Sequence, residues 1–312
     1  MSYAVIFPGQ GAAVPGAGLA WVGHPAWAVV REAEAATGRP LARLLLDADA
    51  DELATTGASQ MAVLLSSLVA WYALDGALSA PTVAFAGHSL GQITALLAAG
   101  AVSPAAGYRL AAHRADASQR SADARPGRMV ALMGTDPDAV ASLCADGTDA
   151  WVANDNAPGQ VVAAGTPAGV DALTERARAA GIRKVMPLAV GHAFHTPLLA
   201  DAAASLAPTL EATSFRATDV PIVTNTDAAP ADDPGAWPDL LARHLVQPVR
   251  WRETQLALVR MGATRFVEVG PGRVLAGLAK RTVPEVTVHN VATPDDVATV
   301  AAAVTPAEAG SR

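Results

Sequence analysis

The sequence predicts an α/β fold with a mostly parallel sheet, and three observations carry that expectation. Short apolar β-like runs alternate with long Ala-rich helical stretches, the pattern of strands joined by crossover helices. A Gly-x-Ser-x-Gly sequence, Gly87-His88-Ser89-Leu90-Gly91, stands between one such run and one such stretch. From residue 128 the order changes to βαββαβ, the split βαβ arrangement of ferredoxin-like units.

Taken in order, residues 3–7 read as a strand that runs into Pro8-Gly9, and residues 61–74 as a buried helix ended by Asp75. A strand is expected over 82–86, then helices over 92–99 and 104–124. Ala124-Arg125-Pro126-Gly127 is a hinge candidate. Beyond it the pattern gives strand 128–134, helix 137–146, strands 150–154 and 160–165, helix 167–181 and strand 183–189, and Gly191 closes the unit. Next come a helix from about 197 to 210, a strand over 220–225, helices over 238–245 and 251–261, and a strand over 265–269 that ends in Gly270-Pro271-Gly272. Residues 305–312 read as a frayed tail. The expected division is residues 1–126 with 192–312 as a large α/β-hydrolase-like unit, and 127–191 as a small ferredoxin-like insertion. A cleft between them is where ligand pockets tend to form.

Composition narrows the function classes. The 312 residues hold 22 Lys+Arg against 29 Asp+Glu, a net charge of −7, which argues against a basic nucleic-acid binder or a polybasic membrane-surface protein. With 51% hydrophobic but 4% aromatic residues, the core must be built from Ala, Val and Leu. Cys144 is the single cysteine, so no intrachain disulfide can form; it reads as a small buried hydrophobe in a reducing cytoplasm. The N-terminus shows no secretory signal, and residues 61–74 fall short of the roughly 20 needed to cross a bilayer. Lys184 and Lys280 are the only lysines, which leaves few candidates for Schiff-base chemistry.

The Gly-x-Ser-x-Gly turn reads as a nucleophile elbow, with Ser89 projecting and the Leu90 N–H at the helix start available to an oxyanion. A serine hydroxyl needs a base within hydrogen-bond reach, usually histidine. Of the seven histidines, His192 and His195 sit in Gly191-His192-Ala193-Phe194-His195-Thr196-Pro197, at the hinge that faces the cleft, so one of them is the best base. The pair could also bind a metal, but no third ligand of convincing spacing accompanies it. No acid stands out to complete a triad, so a Ser-His dyad oriented by a backbone carbonyl fits better.

Phe7-Pro8-Gly9-Gln10-Gly11, the elbow, Arg114, Asn156-Ala157-Pro158-Gly159-Gln160-Val161-Val162, His192-Ala193-Phe194-His195, Gln247-Pro248-Val249-Arg250-Trp251 and Glu268-Val269-Gly270-Pro271-Gly272 occur in the order seen in malonyl-CoA:acyl-carrier-protein transacylases. The chain resembles that family from residue 4 to about 281. The resemblance implies a malonyltransferase in which Ser89 accepts the acyl group, His195 is the general base, and Gln10 and Leu90 supply the oxyanion-hole N–H groups. It also implies that Arg114 grips the malonyl carboxylate, a task that suits a forked guanidinium. His192 and Phe194 belong to a His-Ala-Phe-His signature associated with malonyl selection, whereas methylmalonyl-selecting relatives usually carry a Tyr-Ala-Ser-His-like sequence. Asn156 and Gln160 match a motif that borders the cleft, or form an ordinary turn.

Two positions depart from the family. Gln92 stands where Glu is usual, and His244 stands where a Gln contributes the main-chain carbonyl that orients the base. The implied partners are malonyl-CoA as substrate and an acyl carrier protein; no cofactor, metal, nucleic acid or membrane is implied, and the expectation is a cytoplasmic monomer. Carrier docking would rely on a local basic patch, with Arg125, Arg128, Arg273, Lys280 and Arg281 as contributors. The alternatives are a carrier-to-carrier acyltransferase, an editing acyl hydrolase, or a non-catalytic carrier-docking module.

Overall fold

The computed structural model describes residues 2–304 except 79, 145, 146 and 232. The expected tail at 305–312 and the end of the helix expected over 137–146 lie outside the described residues. The order is β1 (Tyr3–Phe7), α1 (Ala28–Thr37), α2 (Ala42–Leu46), α3 (Ala50–Leu53), α4 (Thr56–Asp75), β2 (Thr82–Gly87), α5 (Gly91–Ala98) and α6 (Pro104–Ala124). It continues with β3 (Arg128–Met133), α7 (Pro137–Cys144), β4 (Ala150–Ala157), β5 (Gln160–Gly165), α8 (Pro167–Ala179), β6 (Lys184–Pro187) and α9 (Ala200–Ala212). The chain then forms β7 (Ile222–Val223), α10 (Trp237–Val246), α11 (Trp251–Arg260), β8 (Arg265–Val269), α12 (Val274–Thr282), β9 (Thr287–Val291) and α13 (Pro294–Val304).

Five strands form a parallel sheet in the order β7-β2-β1-β8-β9. All five β1 residues are buried, because helices cover both faces. Tyr3, Val5 and Phe7 point into one core with residues of α4, α5 and α6, while Ala4 and Ile6 join α11 and α12 in the other, the two-residue alternation of a strand. A second, antiparallel sheet has the order β4-β5-β3-β6. It is joined to the first by the segment before α11: Asp155 N donates to Val249 O and Val249 N to Ala153 O, both at 2.9 Å, and Arg252 forms an ion pair with Asp155.

Several expectations change at their edges for identifiable reasons. Helix α4 starts at Thr56, five residues before the apolar run, because its polar first turn is buried too: Gly57 N–H donates to Gln119 Oε1 on α6 and Gln60 is fully buried. At 20 residues it is long and apolar enough to cross a membrane, but 78% of its most apolar window is buried inside the fold. Each of its buried Leu side chains contributes roughly 2 kcal/mol by leaving water. Strand β4 runs on to Ala157 through two register shifts, so Asn156 is a strand residue and the turn falls at Pro158-Gly159. Only Ile222 and Val223 pair with β2, because Asn225 turns away to bond the elbow. Helices α1, α2, α3, α12 and α13 and strand β9 were not read from the sequence; β9 is a half-buried edge strand, Thr-Val-His-Asn-Val, without a strong apolar pattern.

Candidate active site

The parallel sheet brings the carboxyl ends of β1 and β2 side by side, with Phe7 paired to Gly87, and both strands end in tight turns there. The two glycines of the elbow are required by close approach. A Cβ on Gly87 would lie 1.9 Å from the carbonyl of Gly91, and one on Gly91 would lie 2.3 Å from Phe7 O. Between them Ser89 has φ +53, and on the far side of the site His195 has φ +59. A non-glycine residue held there costs on the order of 1–3 kcal/mol and persists only where its surroundings fix it.

Those surroundings place the two side chains in direct contact. Ser89 Oγ lies 2.7 Å from His195 Nε2, and His195 Nδ1 lies 2.8 Å from the backbone carbonyl of His244. A carbonyl can only accept, so Nδ1 carries the proton and Nε2 is left to accept from the serine hydroxyl. Burial, with the nearby Arg114 charge second, lowers the His195 pKa to about 3. The imidazole is therefore neutral at physiological pH. The His244 ring stacks on it at 5.2 Å, and burial likewise holds His244 well below the usual histidine range.

Arg114, projecting from α6, is 4% exposed. One guanidinium nitrogen donates to Ser89 Oγ at 3.3 Å and the other to Gln60 Oε1, while Gln60 Nε2 donates to Gln10 Oε1 at 3.2 Å. Burial lowers the Arg114 pKa to about 10, which still leaves a cation at neutral pH. All its hydrogen-bond partners are neutral, so it is a desolvated positive charge beside the hydroxyl. Such a group is positioned to receive an anion.

A cavity of about 280 Å³ opens over Ser89 and His195, and Gln10, Asn156, Gln160 and Phe194 also line it. His88 Nε2 bonds Asn156 Oδ1 at 2.9 Å, which turns His88 away from the serine hydroxyl. Gln160 is held at the rim by Arg281. His192 is buried outside the cavity lining; its Nδ1 bonds Arg125 O at 3.0 Å and its ring meets Phe194 edge-on. Of the elbow amides, Ser89 N donates to Asn225 Oδ1, Gly91 N to His88 O and Gln92 N to Ser89 O, which leaves Leu90 N at the start of α5. Glu268, fully buried at the end of β8, accepts from Leu275 N and Ala276 N and fixes the start of α12, which forms one cavity wall through Leu275 and Leu278. A larger cleft, about 710 Å³, lies on the other side of β4, but its Arg250 and Arg252 are already paired with Glu253 and Asp155.

Sequence reasoning missed Gln60 and Asn225. Gln60 was hidden at the head of an apolar helix; a lone buried amide there was the signal. In the sequence Asn225 is simply the last residue of the strand expected over 220–225, and its place beside β2 at the carboxyl edge of the sheet is a tertiary fact.

The buried imidazoles give the site a pH signature. Burial lowers the pKa of His88, His195 and His244 in the folded state, whereas the unfolded chain takes up these protons near pH 6.5. Their stabilisation is thus complete above about pH 6.5 and is lost as pH falls toward the folded values. Each histidine contributes a slope of about 1.4 kcal/mol per pH unit in that window. Urea denaturation between pH 8 and 5 is expected to show this loss, and His244→Gln to reduce the slope by one proton; a flat profile would contradict neutral burial.

Comparison with known proteins identifies the family. Residues 4–308 match the family described as acyl transferase domain. The chain is 35% identical to the malonyl CoA-acyl carrier protein transacylase of Synechocystis sp., over 95% of this chain and 99% of that one. It is 34% identical to the Escherichia coli protein of the same name, over 95% and 97%. Among solved structures, the malonyl-CoA:acyl carrier protein transacylase of Xanthomonas oryzae superposes with a TM-score of 0.91 at 35% identity, covering 96% of this chain and 98% of that one. A malonyl-transacylase solved in complex with a type II PKS acyl-carrier protein gives 0.92 at 32% identity, over 97% and 100%.

Proposed function

This chain belongs to the acyl transferase family, and from that premise we propose that it moves a malonyl group from malonyl-CoA to the phosphopantetheine thiol of an acyl carrier protein. The observation that carries the reading is the Ser89–His195 contact with Arg114 beside the same hydroxyl. Named relatives and an acyl-carrier complex of a close structural neighbour support the substrate and partner.

In the first half-reaction His195 Nε2 takes the Ser89 proton as Oγ bonds the thioester carbonyl carbon. The carbonyl oxygen becomes an oxyanion near the N–H groups of Gln10 and Leu90. Collapse breaks the C–S bond, and the imidazolium returns its proton to the departing CoA thiolate. The second half-reaction runs in reverse with the carrier thiol as nucleophile. His244 O stabilises the transient imidazolium without a carboxylate, and Arg114 pairs with the malonyl carboxylate. No step needs a resident metal or redox group.

We further read residues 127–191 as a small ferredoxin-like unit set on the larger one; the sheet order β4-β5-β3-β6 supports this, and the cavity is lined from both sheets' neighbourhoods. Arg273, Lys280 and Arg281 lie on or beside α12 near the cavity wall, and we assign them to carrier docking. We place the protein in the cytoplasm as a monomer, and Asn156 and Gln160 as groups that border the acyl chain's path.

The reading is tested by incubating the protein with a panel of acyl-CoAs, locating any acyl group by mass spectrometry, and adding holo carrier protein. Malonyl on Ser89 that passes to the carrier is expected. Release mainly to water would favour the editing-hydrolase reading, and absence of any adduct the docking module.

Selectivity within the dicarboxylic esters follows from Phe194, which is 6% exposed and lines the cavity. We infer that its bulky ring crowds an α-methyl on the acyl group. Malonyl-CoA is expected to acylate Ser89 faster than methylmalonyl-CoA by about 10- to 100-fold, the worth of one methyl-sized difference. Equal rates would show that Phe194 does not select.

A further inference from the structure

We propose that Asn225 is the positioning residue that holds the nucleophile turn in its strained conformation, so that Ser89 Oγ and the Leu90 N–H face the substrate. This inference rests on the reading of Ser89 as the acyl acceptor. Asn225 touches the turn on both sides of the serine. Its Oδ1 accepts from Ser89 N–H at 2.8 Å, and its Nδ2 donates to Gly87 O at 2.7 Å and to Gln92 Oε1 at 3.0 Å. One planar amide thus spans Gly87, Ser89 and Gln92, the whole turn from the end of β2 into α5.

The atom assignment is forced. A backbone N–H can only donate and a backbone carbonyl can only accept, so Oδ1 must face Ser89 and Nδ2 must face Gly87. Gln92 is fixed by the same logic, because its Oε1 also accepts from Asn225 N–H at 3.1 Å. That leaves Gln92 Nε2 buried without a hydrogen-bond partner among the described residues. The chain keeps an uncharged amide at this position although only its acceptor atom is used. A carboxylate could take both bonds, which explains why the Glu-to-Gln departure noted in the sequence is compatible with the turn.

Asn225 is itself clamped. Its carbonyl accepts from Arg250 N–H at 2.9 Å at the start of α11, and β7 sets its height by pairing Ile222 and Val223 with Phe85 and Ala86 of β2. Asn225 is 1% exposed and Gln92 2%, so no bulk water can replace a lost bond. No other side chain of this length both accepts at one atom and donates two protons at the other. Aspartate keeps the bond to Ser89 but places a second acceptor against Gly87 O. Alanine loses all three side-chain bonds.

The residue meets no substrate in this arrangement, so its loss should alter turnover rather than binding. Single-turnover acylation by malonyl-CoA is to be measured for wild type, Asn225→Ala, Asn225→Asp and Leu173→Ala; the last opens a cavity in the remote core behind the small sheet and controls for lost stability. The expected result for Asn225→Ala is an acylation rate constant lower by about 10²-fold, the cost of misplacing reacting groups. The half-saturating malonyl-CoA concentration should stay within about twofold, since remote contacts are kept. Asn225→Asp should lie between alanine and wild type. An Asn225→Ala protein as stable as Leu173→Ala that acylates at the wild-type rate overturns the proposal, as does a loss confined to the half-saturating concentration. If wild type itself is never acylated at Ser89, the functional reading fails instead, and the two failures are separated by that arm.

Discussion

Ser89→Ala is expected to abolish the malonyl adduct altogether. The elbow holds one hydroxyl, and the side chains around it, His195, Arg114, Gln10, His88 and Asn156, offer no other hydroxyl, thiol or amine that could form a stable acyl intermediate in its place. Overall transfer to a carrier should fall by several orders of magnitude, to whatever rate direct attack of the carrier thiol on bound malonyl-CoA allows. His195→Ala makes a useful companion, because it keeps the hydroxyl and removes the base, with an expected loss of about 10²–10⁴-fold. A malonyl group found by mass spectrometry on the Ser89→Ala protein, at any residue and with undiminished transfer, would remove Ser89 from the mechanism.

Arg114→Ala is expected to separate malonyl from acetyl transfer. In the wild type the guanidinium is a buried cation whose partners are neutral, so an incoming carboxylate gains a full charge partner. Leaving that carboxylate unpaired in a desolvated site costs about 3–5 kcal/mol, or roughly 10²- to 4 × 10³-fold in malonyl acylation. Acetyl-CoA has no carboxylate to lose. It should respond only to the loss of the neutral Arg114 bonds to Ser89 Oγ and Gln60 Oε1, and so change by less than about tenfold. Arg114→Lys should recover part of the malonyl rate, since a point charge lacks the fork. The measurement is acylation of Ser89 by both esters in all three proteins. Equal loss for the two esters would make Arg114 a structural residue and remove the main physical support for a dicarboxylic substrate.

Much of this site was legible because its chemistry is local in sequence. The elbow announces itself by two glycines that flank a serine between a strand and a helix. The dyad without an acid was also legible, since no carboxylate stood at a convincing position, and the structure places the His244 carbonyl at His195 Nδ1. His192 and His195 could not be separated by spacing. Only folding puts one ring at the serine and the other against Arg125 O, because three residues along an irregular loop can point anywhere. Arg114 carries no local signal at all; its role was suggested by resemblance, and its burial and its bond to Ser89 Oγ come from the packing of α6 against α4.

By itself the amino-acid order determined the strands up to β8 and the longest helices, though not β9, α1, α12 or α13, because apolar periodicity and glycine sterics act over a few residues. It also determined the nucleophile turn and the absence of a disulfide. Tertiary structure decided the rest: the parallel register that sets Asn225 beside the elbow, the burial that keeps His195 neutral and leaves Arg114 without a counter-charge, and the polar first turn of α4 that brings Gln60 to Arg114. These depend on the local dielectric and on distances between residues far apart in the chain, such as Ser89 and Asn225, 136 positions apart, and neither quantity exists until the chain has closed on itself.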